Sequence, residues 1–296
     1  MQYIEHGVPA HIWTAIREMG AGAEPAINKA SKGMFAPLLE SAEGVTQQLD
    51  ISYGAHERQT LDVYTQAGMK DAPVVLYVPG GGFTGGDKRQ DDFFFTNIGR
   101  FFAKRGVACV TMNYRLAPEH TWPSASLDIE LAISWIVKSI VQFGGAPDKL
   151  ILFGHSAGAA HAASYLYDPD TNGGADLRAA VLGSGLYVLR SAEMRANVAQ
   201  YFGNDALTYE RRSALSHVGL NKTPVLLCVA EFDPAYLATP TFELAAALTK
   251  RDGRPPAILR ADGHNHFSYI SSIGSPDMRF SSALIDFVRR HTEPSH

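Results

Sequence analysis

The chain has 296 residues, of which 46% are hydrophobic and 19% charged, and its net charge is −4. That length suits one large α/β domain or two small ones. The acidic excess is slight and no basic block occurs, so neither nucleic acid nor an anionic membrane surface is an expected partner.

The N-terminal stretch MQYIEHGVPAHIWTAIREMG lacks a positively charged segment followed by an apolar one, so no secretory signal is expected. No apolar run reaches the ~18 residues needed to span a bilayer. The expected location is therefore cytoplasmic. Cys109 and Cys228 each sit in an apolar run (VACVTM and PVLLCVAEF), which predicts two buried thiols and no disulfide framework.

Taken in chain order, residues 1–44 have a mostly helical pattern and are expected to cap one end of a domain spanning 45–296. The segments VTQQLDISYG and QTLDVYTQ alternate and predict an antiparallel pair at a sheet edge. Six short apolar, β-branched runs follow, at 73–78, 107–113, 150–153, 179–182, 224–230 and 257–259. Runs of this kind predict strands buried on both faces, as in a parallel sheet sandwiched between helices. Helices are predicted at 91–105, 124–143, 239–251 and 278–290. In the second of these, Leu127, Leu131, Trp135 and Ile136 stand at helical spacing, and Gly144-Gly145 marks the stop. Such alternation of strand and helix predicts an α/β fold with a mostly parallel sheet. Residues 187–222 are too long for a simple crossover and are a second candidate cap.

The stretch KLILFGHSAGAAHAASYL places Gly154-His155-Ser156-Ala157-Gly158 between a strand and a helix. This is the context of a nucleophile elbow, where a serine on a strained turn projects its hydroxyl from the carboxyl end of the sheet. Small neighbours at 154 and 158 let the turn close, and the Ala157 N–H points to where an oxyanion would form. A serine hydroxyl needs a base that is itself oriented by an acid, and in this class the order along the chain is Ser, acid, His. Asp233 follows the strand PVLLCVAEF. Glu231 is a rival, but FDP places Asp233 in the loop. His264 and His266 follow the strand AIL and are both candidates for the base. His155 is expected to line the site and His161 to pack. A glycine loop, YVPGGGFTGGDK, follows the strand PVVLYV and brings backbone N–H groups close to a substrate. It lacks the spacing of a phosphate-binding loop. No His, Cys or carboxylate cluster has metal-ligand spacing, since the His264/His266 pair alone is too little, and no cofactor is called for.

With these motifs in view, the chain resembles an α/β-hydrolase of the hormone-sensitive-lipase-like carboxylesterase group, from about residue 45 to residue 290. The resemblance rests on PGGGF at 79–83, NYRLAPEHTWPSA at 113–125, GHSAG at 154–158, EFDP at 231–234 and HNHF at 264–267. It implies Ser156 as nucleophile, Asp233 as acid and His266 as base, because the family's base directly precedes a Phe or a Gly-Phe. It implies Gly81, Gly82 and Ala157 as oxyanion donors, a small-molecule ester or amide substrate, and a homodimer through an edge strand. It assigns Arg115 and Glu119 to holding a structural turn. Three features depart from the pattern. Pro79 replaces the family's histidine before the glycines. His155 replaces an acidic residue, and the GHSAGA and HFSYI stretches are similar to the arylformamidase branch, which hydrolyses an N-formyl amide with the same triad. The N-terminal segment is long, and Ile27, Met34, Phe35 and Leu38 are candidates to line an acyl or aryl pocket, as is Phe83 beside the glycine loop.

Overall fold

The apolar runs become the centre of one eight-stranded sheet. The computed structural model describes residues 4–171 and 177–293. Residues 1–3, 172–176 and 294–296, parts of the expected cap and catalytic segments, lie outside the described residues. In chain order the elements are β1 (Ile4–Glu5), β2 (Val8–Pro9), α1 (Ala10–Met19), α2 (Pro25–Phe35), β3 (Thr46–Ser52), β4 (Thr60–Thr65) and β5 (Ala72–Val78). Then come α3 (Thr96–Ala103), β6 (Ala108–Met112), α4 (Ser124–Ser139), β7 (Gly145–His155), α5 (Ala157–Tyr167) and β8 (Ala179–Gly183). The remainder is α6 (Ala196–Phe202), α7 (Tyr209–Arg212), β9 (Val225–Phe232), α8 (Ala235–Asp252), β10 (Ala257–Asn265), α9 (Ser268–Ser271) and α10 (Met278–Thr292).

The large sheet has the order β10-β9-β8-β7-β5-β6-β4-β3. The pairings β3–β4 and β4–β6 are antiparallel, and the others are parallel. The predicted antiparallel edge pair is thus present. Alternate residues of the central strands feed two separate cores, because successive side chains of a strand point to opposite faces. Leu76, Leu152, Leu182 and Leu227 join the core under α4 and α5. Tyr77, Phe153, Val181 and Cys228 join the core under α3 and α10. Burial on both faces is why these strands read as continuous apolar runs. Cys109 and Cys228 are buried and unpaired, as expected. Among the described residues, no helix is long and apolar enough to cross a membrane.

Two helix expectations need correction. The inward face of α4 is Ala125, Ile129, Ala132, Ile133 and Ile136, whereas Leu127 and Leu131 are 36% and 42% exposed. The reason is α5, which is buried along its whole alanine-rich length and packs against α4. A close helix approach favours small and β-branched residues at the contact over leucine. The helix predicted from 91 begins only at Thr96, because the Asp91 carboxylate accepts the N–H groups of Phe93 and Phe94 at 2.8 and 2.6 Å and holds a turn instead.

Strand β5 is followed in sequence by β6 on one side, and the chain then crosses back to β7 on its other side. The carboxyl ends of β5 and β7 therefore form a topological switch point, where open α/β sheets bind ligands. The glycine loop follows β5 and Ser156 follows β7. The α1–α2 segment and the α6–α7 segment both reach this end of the sheet.

Candidate active site

The elbow at Ser156 has the strain its sequence suggested. Ser156 has φ 56° and ψ −123°, a conformation that costs a non-glycine residue about 1–3 kcal/mol and persists only where the surroundings enforce it. The flanking glycines are steric requirements. A Cβ on Gly154 would lie 2.4 Å from the Gly158 carbonyl oxygen, and one on Gly158 would lie 2.1 Å from that of Val78. The turn is tied down from outside, as the Ser156 N–H donates to Gly183 O at 2.8 Å.

Three predicted residues meet in a chain of hydrogen bonds. The Ser156 hydroxyl lies 2.9 Å from His266 Nε2 and can donate to it. His266 Nδ1–H donates to Asp233 Oδ1 at 2.7 Å. Asp233 and His266 are buried, and both sit at the carboxyl ends of neighbouring strands, β9 and β10. The second Asp233 oxygen accepts the Ala230 N–H at 2.7 Å and the Ser184 hydroxyl at 2.6 Å, and Tyr269 OH lies 2.9 Å from that hydroxyl. A carboxylate so held fixes the imidazole with Nε2 bare towards the serine, the arrangement in which an imidazole can accept the serine proton.

The rival acid and base lie elsewhere. Glu231 is exposed and accepts the Gly263 N–H at 2.7 Å. His264 is engaged with Asp277 and with Ser268, each at 3.0 Å. Burial lowers the His264 pKa, with Asp277 opposing. Burial alone would raise the Asp277 pKa, but hydrogen bonds from His264 and Arg279 pull it down. His264 is thus a neutral donor in a buried structural pair.

His155 bridges the elements of the site. Its Nε2–H donates to the His266 carbonyl at 3.0 Å, and its ring lies 4.8 Å from the His266 ring at 35°. Burial, and then the neighbouring His266, push its pKa well below the usual imidazole value. His161 packs as expected, against Phe83, Tyr114 and Tyr201, and burial pushes its pKa down to about 3.

Among the described residues no hydrogen-bond partner is found for the N–H groups of Gly81, Gly82 or Ala157. Ala157 is the first residue of α5, where an N–H has no intrahelical acceptor. Without the histidine that Pro79 replaces, the loop is held by others. Tyr114 OH donates to Pro79 O at 2.9 Å, Asn197 Nδ2 donates to Gly82 O at 2.9 Å, and Arg58 Nη2 donates to Gly86 O at 2.9 Å. The turn after β6 is anchored by Arg115, whose backbone and guanidinium both bind the buried Asp128. Glu119 is exposed and makes no ion pair among the described residues, so it does not share the task expected of it.

Ser156 and His266 face a cavity of about 550 Å³. Its walls include Gly80–Phe83, His155 and Leu186, with Ala23, Pro25 and Asn28 from the N-terminal segment, Glu193, Arg195, Asn197 and Val198 from the second candidate cap, and Tyr236 and Leu237. Phe83 reaches this wall, but its ring is chiefly a packing element, stacked on Tyr201 at 5.4 Å. Phe35 does not line the cavity. It is fully buried with Trp13 against His264, and Met34 and Leu38 pack on the same cluster. The apolar face of α2 is spent on seating the helix, and the residues near its N-terminus line the pocket instead. Asn197, Ser184 and Arg195 were not singled out from sequence. Only Ser184 carries a legible signal there, as a serine directly after a strand's carboxyl end.

The sequence profile of the prolyl oligopeptidase family matches residues 128–294, and the BD-FAE profile matches residues 61–171. The chain belongs to the prolyl oligopeptidase family. Among the relatives of this family member, the esterase LipQ of Mycobacterium tuberculosis is 28% identical over 268 residues, covering 82% of this chain and 62% of LipQ. Acetylcholinesterase 4 of Caenorhabditis briggsae is 32% identical over 200 residues, 62% of this chain and 30% of that protein. The chain thus spans less than two thirds of the length of these relatives. Solved structures share the fold along nearly the whole chain. Esterase B from Lactobacillus rhamnosis superposes with a TM-score of 0.76 at 16% identity, covering 96% of both chains. A thermostable esterase from Pseudomonas putida superposes with a TM-score of 0.71 at 19% identity, covering 99% and 100%. The fold of this family member is that of an α/β-hydrolase.

Proposed function

We propose that the chain is a serine carboxylesterase. His266 takes the Ser156 proton as Oγ attacks the ester carbonyl, and Asp233 holds the imidazole in the required tautomer and stabilises the imidazolium. The N–H groups of Gly81, Gly82 and Ala157 bind the oxyanion of the tetrahedral intermediate. Collapse expels the alcohol, protonated by His266, and leaves an acyl-Ser156. Water attacks that ester with His266 again as base, and the acid is released with the serine restored.

The observation that carries this reading is the unbroken chain Ser156–His266–Asp233, at 2.9 and 2.7 Å, on the wall of a cavity. A volume of about 550 Å³ suits small to medium acyl and alcohol groups. The relatives' names as esterases point the same way. The test is turnover of p-nitrophenyl acetate, butyrate and octanoate, beside an N-formyl arylamine, by the wild type and Ser156→Ala. Ester rates that fall with chain length and drop on the order of 10⁴-fold or more in the variant are expected. A folded Ser156→Ala protein as fast as the wild type would refute the reading, and a dominant rate on the formamide would move it to formamide hydrolysis.

A further inference from the structure

The catalytic cavity holds an arginine that no acid pairs with among the described residues. Arg195, just before α6, lines the cavity with its guanidinium carbon 3.8 Å from the centroid of the Tyr236 ring, which lines the same wall. Arg195 makes no ion pair among the described residues. Its neighbours differ. Arg190 Nη2 donates to both Glu243 carboxylate oxygens, at 2.7 and 2.8 Å. Glu193, the one carboxylate among the lining residues, lies 3.7 Å from Arg190. The segment is also fixed relative to the chemistry, since Asn197, two residues on, holds the glycine loop through Gly82 O.

Stacking on Tyr236 covers one face of the guanidinium and restricts its rotamers. One donor goes to the Tyr236 hydroxyl, but a guanidinium carries five N–H donors, and a planar fork of donors matches a carboxylate in bidentate geometry. A cation kept in a substrate cavity without a counter-ion of its own is short of one partner, which an anionic substrate would supply. We propose that Arg195, seated on Tyr236, is an anion subsite, and that the substrate is an ester bearing a carboxylate remote from the scissile bond. This inference rests on the esterase reading above.

The test uses two matched ester pairs. One, 4-acetoxybenzoate against its methyl ester, carries the charge on the leaving group. The other, the 4-nitrophenyl hemiester of glutaric acid against its methyl ester, carries it on the acyl group. For the wild type, Arg195→Ala and Arg195→Glu, the quantity read is the ratio of kcat/KM for the anionic ester to that for its neutral partner. In at least one pair this ratio should fall about 10-fold in Arg195→Ala and further in Arg195→Glu, mainly through KM. Ratios that stay within about twofold in both pairs, or a wild type that consumes only the neutral esters, overturn the anion subsite while the esterase stands. Turnover of none of the four esters above the Ser156→Ala level overturns the esterase reading and this inference together.

Discussion

Two glycine-to-alanine substitutions, both inside helices, should have opposite effects. In isolation each replaces the poorer helix former by the best one, a gain of about 1 kcal/mol in a helix interior. At Gly33, within α2, an added Cβ meets nothing within 4 Å, so that gain should appear almost undiminished. At Gly158, in the first turn of α5, the Cβ would lie 2.1 Å from Val78 O and 2.6 Å from Pro79 O. Those distances fall short of the 3.4 Å where ordinary contact begins by 1.3 and 0.8 Å. The obstructing atoms are backbone at the end of β5, in the centre of the sheet, and cannot rotate away. Overpacking costs about 1–3 kcal/mol, and a 2.1 Å approach to fixed backbone belongs at the upper end of that range, above the helix gain. The larger effect is on rate. Relief of the clash must separate α5 from the Val78–Pro79 peptides that lead into the glycine loop, parting the Ala157 N–H from those of Gly81 and Gly82. A misplacement of about 1 Å in such a constellation costs on the order of 100-fold. Thermal unfolding and kcat on p-nitrophenyl butyrate should therefore show Gly33→Ala as stable as the wild type or more so, with unchanged kcat. Gly158→Ala should melt several degrees lower and lose about 100-fold in kcat. A Gly158→Ala enzyme with the wild-type rate would refute the steric argument.

Three further outcomes are expected. His266→Gln should lose activity by about 10⁴-fold, whereas His264→Gln should keep turnover while unfolding at lower temperature, since it weakens a buried pair with Asp277; the reverse result would transfer the base to His264. His155→Leu removes the donor to the His266 carbonyl and should lower kcat about 10-fold or more, with partial rescue by His155→Gln; equal kcat for both variants and the wild type would contradict a role in seating His266. His161 has a folded pKa of about 3, below its unfolded value, so the unfolded chain takes the proton first. Stability should then fall as pH drops from about 6.5 towards 3, at up to about 1.4 kcal/mol per pH unit for this group. His161→Phe should make the acid limb of a denaturation series shallower, and an unchanged limb would show that acid unfolding has another source.

What the sequence alone determined is whatever depends on local pattern. Strands buried on both faces read as apolar runs, and the glycine-serine-glycine turn announced a strained elbow because only small residues fit where Gly154 and Gly158 touch backbone. The order Ser156, Asp233, His266 was legible because each follows a recognisable strand end. Tertiary structure decided what depends on which surfaces meet. The inward face of α4 was set by its all-buried partner α5, a contact that helical periodicity within α4 cannot encode, since leucines stand at helical spacing on its outer face too. Phe35 went to seating α2 on Trp13 and His264 rather than to the pocket, because burial against a neighbouring ring is open to any apolar side chain that the fold brings there. Asn197 and Arg195 gave no signal at all. Their importance lies in standing, some forty residues along the chain from Ser156, beside a loop that precedes it by more than seventy, and only the closing of the chain over the sheet brings those segments to one cavity.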